Sequence, residues 1–485
     1  MRGLSKSKIL SGLQCEKRLW LEIHRPELAE WSAASSFALN AGYRVGETAR
    51  ALVPGGQLIG TPEDPAAALD ETRAALARRG DLVLFEPAFR HGGVLVRADI
   101  LHRRGRRHRL VEVKSSTSVK DYHYLDAAIQ SWVLQGAGIS LTSVVLRHID
   151  NSFVYPGGGD YRGLFMDEDV SAAIAPLAGE VPGWVARLRK VLSGTEPEIA
   201  VGAHCRDPFE CPFQEYCCRD EPEYPVSILP YGGTLAQRLR EAGYCDLRQV
   251  PEGSLSKEHH LRVWHITRSG RAELDPEAAQ EMARLTYPRY YLDFETIGFA
   301  VPVWQGTRPY QQLPFQWSCH VEDGPGTPRH AAFLDTSGQA PMRRFAESLL
   351  RVLGRQGPVL VYSSFERTVL RGLAERFADL AAGLNAVIDR LVDLLPLTQA
   401  YYYHPAMKGS WSLKAVLPTI APELDYGQLA VQDGTMAQEA FAEMVDPGTD
   451  EVRRAELEQA LLAYCRQDTL ALVELARFLA RADSA

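Results

Sequence analysis

Two segments of this 485-residue chain place charged residues inside runs that otherwise have the composition of buried β-strands. In RLVEVKSST, Glu112 and Lys114 interrupt strand-forming residues, and in YYLDFETIG the acids Asp293 and Glu295 do the same. Alternate residues of a strand project from one face of a sheet, so the members of each pair point in the same direction. Because an unpartnered buried charge costs about 3–5 kcal/mol, the fold must place a compensating charge beside each pair.

The bulk composition is that of an ordinary globular protein, with 46% hydrophobic and 24% charged residues. Its length exceeds one compact core and predicts two or three domains. No run approaches the ~20 apolar residues of a membrane span, and the N-terminal segment lacks the apolar stretch of a secretory signal. We therefore expect a cytoplasmic protein that does not bind membranes.

The net charge of −8 argues against a general polyanion binder. One local exception is a basic run between residues 103 and 120, in which Glu112 is the sole acid. Taken alone, this run predicts a solvated hairpin turn. Beside a catalytic strand it would instead bind phosphates.

The first constellation of charged residues spans two predicted neighbouring strands. Asp99 ends the strand VLVRAD, and Glu112 and Lys114 follow on the next strand. Two carboxylates on adjacent strands can hold a divalent cation, and a lysine beside them can activate water or stabilise phosphorane charge. Glu86 is a possible further acid, and Gln130 is a possible contact from the following helix. The alternative is a plain ion pair between Lys114 and Asp99 or Glu112.

The second constellation has no lysine between or beside its two strand acids. Asp293 and Glu295 share one face of a strand, where they repel each other unless cations lie between them. Further along the chain, Tyr464 and Asp468 are four residues apart and so share one face of a predicted helix. This pattern predicts a second metal centre, with Mg²⁺ or Mn²⁺ as the ion.

A segment after the Asp293 strand, WQGTRPYQQLPFQWS, mixes aromatic and polar residues. Such a pattern can stack and cradle single-stranded bases, although a surface β-loop is the default interpretation. The residues concerned are Trp304, Arg308, Tyr310, Gln311 and Gln312.

The eight cysteines are unevenly distributed. Cys15 stands alone near the N-terminus, whereas three cysteines recur at intervals of six residues after the first constellation: Cys205, Cys211 and Cys217. A cytoplasmic chain keeps its thiols reduced, so this clustering favours a metal over disulfides. Cys218 is a spare neighbour, and we expect Cys245, Cys319 and Cys465 to be buried thiols.

The D-x12-E-x-K spacing, together with the four cysteines and the segment CEKRLWL, resembles the RecB-like branch of the PD-(D/E)XK nucleases that carry a 4Fe–4S cluster, including the CRISPR-associated ones. The resemblance implies a cluster held by Cys15, Cys205, Cys211 and Cys217. Zinc is the alternative, because four thiolates also suit Zn²⁺. An iron–sulfur cluster absorbs visible light and bleaches on reduction, whereas zinc is silent.

This sequence departs from the RecB-like pattern at two positions. Tyr43 occupies the place of a metal-binding histidine, and Leu134 replaces the tyrosine of the Q-x-x-x-Y helix while Gln130 is kept. Weaker metal binding or a partly degenerate centre is the expected consequence.

The D-x-E strand and the Y-x-x-x-D helix resemble the DEDD (DnaQ-like) exonucleases of the RNase H-like fold. The resemblance implies that Asp293, Glu295 and Asp468 bind metal and that Tyr464 positions the attacking water. VLVYSSFERTVL resembles the second motif of that class, which makes Glu366 the favoured remaining acid and Asp393 the alternate. Four such acids can hold two divalent ions about 3.5–4 Å apart.

Together, the two modules resemble a family of uncharacterised bacterial proteins that fuse a RecB-like nuclease to a DEDD-type domain. The expected fold is mixed α/β, with a PD-(D/E)XK restriction-endonuclease-like domain at 1–225, a helical connector at 226–285 and an RNase H-like mixed-sheet domain at 286–485.

The expected function is metal-dependent hydrolysis of nucleic acid, with DNA favoured as the substrate in end processing, repair or defence. The competing hypothesis is a nucleic-acid-binding or assembly protein in which one or both centres are inactive. Tyr43 and Leu134 favour that hypothesis for the first centre, whereas the complete D-x-E and Y-x-x-x-D pairs argue against it for the second.

Overall fold

A computed structural model of the chain describes residues 4–31, 33–60 and 64–481. It divides into two compact units. The first contains the residues up to Arg219 together with Phe299–Gln311, and the second contains Asp220–Gly298 and the residues from Gln312 onwards. The predicted connector 226–285 lies within the second unit. Both units mix helices with sheets, which confirms the predicted mixed α/β class.

The first unit contains nine strands and seven helices among its described residues. Its strands are β1 Leu4–Ser5, β2 Gln57–Leu58, β3 Leu82–Phe85, β4 Ala88–His91, β5 Val94–Arg97, β6 Ile100–Arg104, β7 Arg107–Lys114, β8 Leu141–Ile149 and β9 Phe165–Asp169. Its helices are α1 Lys6–Gln14, α2 Glu16–His24, α3 Ala33–Ala51, α4 Pro65–Ala77, α5 Asp121–Gly136, α6 Ser171–Ser193 and α7 Gln214–Cys218.

A six-stranded sheet in the order β2-β3-β6-β7-β8-β9 forms the centre of the first unit. β6 and β7 pair as an antiparallel hairpin, and β7 and β8 pair in parallel across the intervening helix α5. A smaller sheet has the order β1-β5-β4. Buried apolar residues of β7, β8, α5 and α6 form the main core of this unit. This packing fixes the position of β7 and of the charged side chains that it carries.

The second unit contains seven strands and ten helices among its described residues. Its strands are β10 Glu273–Leu274, β11 Arg289–Ile297, β12 Leu313–Glu322, β13 Arg329–Leu334, β14 Val359–Val361, β15 Leu391–Asp393 and β16 Tyr402–Tyr403. Its helices are α8 Gly233–Glu241, α9 Glu258–Ser269, α10 Glu277–Ala283, α11 Met342–Val352, α12 Phe365–Arg376, α13 Ala381–Ile388, α14 Leu394–Tyr401, α15 Leu413–Ile420, α16 Gly434–Met444 and α17 Glu451–Leu479.

A five-stranded mixed sheet in the order β13-β12-β11-β14-β15 organises the second unit. β11 is its central strand, antiparallel to β12 and parallel to β14. The long helix α17, capped at its start by the Asp450 side chain, packs across β11 and β12. The centre of the sheet therefore faces a helix that brings its own polar residues against β11.

None of the helices in the described ranges combines the length and the apolar character needed to cross a bilayer.

Candidate functional site

Three of the predicted metal ligands of the second centre lie together. Asp293 and Glu295 project from β11, and Asp468 reaches them from α17. One carboxylate oxygen from each lies within 4.8 Å of the other two, and the side chains of Glu295 and Asp468 are buried. Elements far apart in sequence thus bring three acids to one point.

These acids lie in an electrostatic environment that disfavours their charged forms. Burial, followed by the charge of Asp468, raises the pKa values of Asp293 and Glu295 well above their usual range. Burial also raises the pKa of Asp468 to about 6. Among the residues that the structure describes, no arginine, lysine or histidine forms an ion pair with any of the three. The cluster therefore calls for added positive charge, which divalent cations supply.

Two further side chains hold the acids in place. The Tyr426 hydroxyl donates a 2.6 Å hydrogen bond to Asp468 Oδ1, and the Cys465 thiol lies 3.3 Å from Asp293 Oδ2. Sequence reasoning missed Tyr426, because it lies 42 residues before Asp468 outside any recognised motif. Cys465 and Cys319 are buried as predicted, but the prediction for Cys245 is wrong because this residue is exposed.

Glu366 lies in the first turn of α12 and is almost completely buried. Its Oε2 has no hydrogen-bond partner, and burial together with the charge of Asp393 raises its pKa to about 8. Glu366 is not one of the three acids within 4.8 Å of one another, but its charge raises the pKa values of both Asp293 and Glu295. It is an outer acid of the same cluster.

Asp393, the alternate fourth acid, has a structural partner. Its Oδ1 accepts a 2.9 Å hydrogen bond from the Leu395 backbone N–H and so caps helix α14. Capping by an aspartate stabilises a helix start by about 1 kcal/mol. This contact accounts for Asp393 without a metal.

Tyr464 lies on α17 one turn before Asp468 and is buried. Burial and the charge of Asp468 raise its pKa, so the hydroxyl keeps its proton. The rings of Tyr464 and Tyr426 meet edge to face, with centroids 6.2 Å apart. The predicted water-positioning tyrosine is thus fixed beside the acid cluster.

The first centre is assembled on β7 in the first unit. Asp99 lies in the short connection between β5 and β6, and its Oδ2 accepts a 2.6 Å hydrogen bond from the Val113 backbone N–H. This bond places Asp99 beside Glu112. Burial and the charge of Glu112 raise the pKa of Asp99 well above its ordinary value.

Four buried or half-buried side chains beside Asp99 form a closed ring of alternating charge. Lys6 Nζ lies 2.7 Å from Glu112 and 3.2 Å from Asp126, and Lys114 Nζ lies 2.8 Å from Glu112 and 2.5 Å from Asp126. The ring joins α1, β7 and α5. The predicted alternative, an ion pair between Lys114 and Glu112, is therefore present within a larger network.

The ring favours the charged forms of Lys6, Glu112 and Lys114. Although burial alone would raise the pKa of Glu112, Lys114 and Lys6 hold it well below the ordinary value. Burial would lower the pKa of Lys114, but Asp126 and Glu112 raise it to about 12. In contrast to the second centre, these acids have internal counter-ions.

Two acceptors of the first centre nevertheless lack partners. Glu112 Oε2 and Gln130 Oε1 are buried without a hydrogen bond, although Gln130 Nε2 donates to Asp126 Oδ1 at 2.9 Å. Glu86 is engaged elsewhere, with Arg50 at 3.0 Å and Arg97 at 3.8 Å. Sequence reasoning missed Lys6 and Asp126; the D-x-x-x-Q spacing to Gln130 was an available signal for Asp126 alone.

The four predicted cysteine ligands converge in the first unit. Cys15 lies in an extended break between α1 and α2, and it lines one pocket together with Cys205, Cys211 and Cys217. Burial raises the pKa values of Cys15, Cys211 and Cys217, that of Cys217 to about 11. No three of these four described thiols have Sγ atoms within 4.8 Å of one another.

The two departures from the RecB-like pattern have different surroundings. Tyr43 on α3 is 64% exposed, whereas Leu134 on α5 is fully buried in the main core. At position 134 an apolar side chain packed in the core therefore replaces the tyrosine hydroxyl of the RecB-like pattern. At position 43 the exposed tyrosine does not supply a buried metal ligand in place of the histidine.

The first half of the aromatic segment, residues 304–311, belongs to the first unit. Trp304 is buried and packs edge to face on Phe299, at a centroid distance of 5.4 Å. The Tyr310 hydroxyl donates to the Ser115 carbonyl, and Gln312 Oε1 accepts from Thr296. Exposed surface for base stacking is thus offered by Tyr310 and not by Trp304.

Comparisons with known proteins match part of the chain to a family model, a curated relative and a solved structure. A family model described as "Domain of unknown function (DUF2779)" matches residues 290–412. The "Uncharacterized protein MG366 homolog" of Mycoplasma pneumoniae is 27% identical over 216 residues, covering 40% of this chain and 32% of that protein. The chain thus spans about a third of that relative's length. A solved structure titled "Crystal structure of SSO0001" has 14% identity and a TM-score of 0.17, covering 38% of this chain and 76% of that one; a likeness this weak carries no argument.

Proposed function

We propose that this protein is a divalent-metal-dependent nuclease that hydrolyses phosphodiester bonds at the second centre, with DNA as the favoured substrate. The observation that carries the proposal is the convergence of Asp293, Glu295 and Asp468 with no described lysine, arginine or histidine within ion-pair distance of them. Three carboxylates arranged in this way, two of them buried, fit hard divalent cations such as Mg²⁺ or Mn²⁺. The mixed sheet with the D-x-E pair on its central strand supports an RNase H-like assignment.

In this proposal, Asp293, Glu295 and Asp468 hold the metal, and Glu366 adds outer negative charge. Metal ions held there would supply Lewis-acid stabilisation of the attacking and leaving oxygens. Tyr426 fixes the orientation of Asp468 through its 2.6 Å hydrogen bond. Tyr464, protonated and one turn away, orients the attacking water.

The test is cleavage of labelled single- and double-stranded DNA and RNA by the full chain with Mg²⁺ or Mn²⁺. We expect hydrolysis that EDTA abolishes and that D293N reduces at least ~10³-fold, because loss of one ligand disrupts a site in which metal supplies most of the transition-state stabilisation. D393N is the matched control, since that acid caps a helix. If none of these polymers is cleaved, the nuclease proposal is wrong and the competing nucleic-acid-binding or assembly role is favoured.

A second active centre at Asp99, Glu112 and Lys114 is favoured by one observation. Glu112 Oε2 is a buried acceptor without a partner, although Oε1 of the same carboxylate is bound by two lysines. Glu112 and Asp99 would be the residues that hold an ion at this centre, and its positive charge would satisfy the unpartnered oxygen. Activity that survives D293N but is lost in K114A would assign hydrolysis to this centre.

The cysteine pocket supports a metal cofactor within the same proposal. A tetrahedral zinc site has Zn–S bonds of about 2.3 Å, which places its sulfurs about 3.8 Å apart. The four thiols line one pocket, and the resemblance to iron–sulfur nucleases favours a 4Fe–4S cluster held by Cys15, Cys205, Cys211 and Cys217, with zinc as the alternative. A cytoplasmic location is proposed with it, and the visible absorption spectrum separates iron–sulfur from zinc.

A further inference from the structure

An exposed lysine stands next to the buried acids of the second centre. Lys414, in the first turn of α15, donates from Nζ to the Gln432 carbonyl at 2.5 Å. Its Nζ also lies 5.5 Å from the ring centroids of both Tyr426 and Tyr464. Two aromatic faces and one carbonyl therefore hold the ammonium in a defined position.

The two rings connect Lys414 to the acid cluster. Tyr426 donates to Asp468, and Tyr464 precedes Asp468 by one turn of α17. The exposed lysine thus lies beside a site in which Glu295 and Asp468 are buried and Asp293 is half-buried. This layering suits a substrate that presents one phosphate to the acids and their metal and the next phosphate to the solvent side.

Among the described residues, Lys414 forms no salt bridge, although its charge partly offsets the raised pKa values of Glu295 and Asp468. Within the described part of the chain, no carboxylate lies within ion-pair distance of its Nζ, in contrast to Lys6 and Lys114 of the first centre. An ammonium carries three N–H donors, of which the Gln432 carbonyl takes one. A fixed ammonium with unused donors is suited to a phosphate oxygen.

We propose that Lys414 is the side chain through which the second centre contacts the phosphate backbone of a single-stranded nucleic acid, next to the scissile phosphate. The inference rests on the proposed nuclease function and assigns a substrate contact to that site. In this arrangement the three acids would bind the scissile phosphate through their metal, and Lys414 contributes to affinity by binding the adjacent phosphate. The contact is electrostatic and independent of base sequence.

The salt dependence of binding tests this assignment. The full chain, with Ca²⁺ in place of Mg²⁺ to slow hydrolysis, is titrated onto a fluorescein-labelled oligothymidylate of ~20 nucleotides from about 50 to 200 mM KCl. Each phosphate contact contributes about 0.7 to the slope of log K against log salt for a single strand. We expect K414M to lower the slope by about 0.7 and to weaken binding roughly 3–10-fold at the lowest salt, whereas K414R keeps the slope.

K257M is the matched control, because Lys257 is an exposed lysine of the same unit at the start of α9. An unchanged slope in K414M, an equal loss in K257M, or no binding by the wild-type chain would each overturn the assignment. Circular dichroism and the urea midpoint of K414M, compared with those of K414R, show whether the variant is folded. Wild-type binding with the expected K414M slope but no hydrolysis in Mg²⁺ or Mn²⁺ would instead refute the nuclease while leaving the phosphate contact in place.

Discussion

Two pairs of charged residues with the same strand spacing are compensated in opposite ways. Glu112 has two lysines within 2.8 Å, whereas Asp293 and Glu295 have no ion-paired partner among the described residues. The first arrangement neutralises itself, whereas the second has only the more distant charge of Lys414 acting on Glu295 and Asp468, which is why we propose an external cation there. Spacing alone therefore does not decide whether a buried acid is a metal ligand; the nearest ammonium group does.

Glu366 gives a pH-dependent prediction at this scale. Its pKa rises from 4.5 to about 8 in the native state, so the unfolded state releases this proton several pH units earlier. The native state is therefore destabilised relative to the unfolded state as pH rises across that window. In EDTA we expect E366Q to stabilise the protein by about 1–3 kcal/mol at pH 8 and by close to zero at pH 4.5, measured by urea unfolding at both pH values.

The same measurements in Mn²⁺ are the control for Glu366. A bound cation offsets the negative charge of Glu366, so the stabilisation by E366Q at pH 8 should be smaller in Mn²⁺ than in EDTA. E375Q changes a glutamate near the other end of the same helix and should leave the pH dependence intact. Equal stabilisation by E366Q at both pH values would contradict the assignment of the raised pKa to Glu366.

At the scale of elements, the alternating ring ties α1 and α5 to β7. In K6M, Glu112 and Asp126 share the single ammonium of Lys114, which leaves one buried negative charge in excess. We expect K6M to destabilise this region by about 3 kcal/mol. Native-state hydrogen exchange of peptides from β7 and α5 measures the change.

The double variant K6M/D126N is the matched control for the ring, because it removes one charge of each sign. It should recover about half or more of the lost stability, since the cost of K6M comes from an unbalanced charge and not from the missing lysine stem. Additive losses in the double variant would show that Lys6 and Asp126 are not coupled.

Local spacing explains which parts of the sites the sequence could predict. Asp293 with Glu295, and Tyr464 with Asp468, are neighbours on one strand or one helix, so their shared faces follow from strand and helix periodicity. Lys6 and Glu112 are 106 residues apart, and only the folding of α1 against β7 brings them together. The mixed α/β class could likewise be predicted from alternating strand and helix patterns, whereas the inclusion of residues 299–311 in the first unit depends on tertiary packing against residues such as Val45 and Ile149.

At the scale of the whole molecule, the chain carries two acid clusters in two separate units, and they should respond differently to metal. A ligand at 100 times its dissociation constant stabilises the native state by about 2.7 kcal/mol. We expect Mn²⁺ to protect β11 and α17 from hydrogen exchange at lower concentrations than it protects β7 and α5, because in the first unit lysines already neutralise the acids.

Two variants turn this difference into a test of the whole scheme. D293N/E295Q should abolish the protection of β11 and α17 while leaving β7 and α5 unchanged, and E112Q should do the reverse, because each removes ligands from one unit only. Both variants replace a carboxylate by an amide of nearly equal size, so packing is kept and only the charge changes. If Mn²⁺ protects β7 and α5 first, or if protection of β11 survives in D293N/E295Q, then the unpaired acids of the second unit are not the principal cation site of this protein.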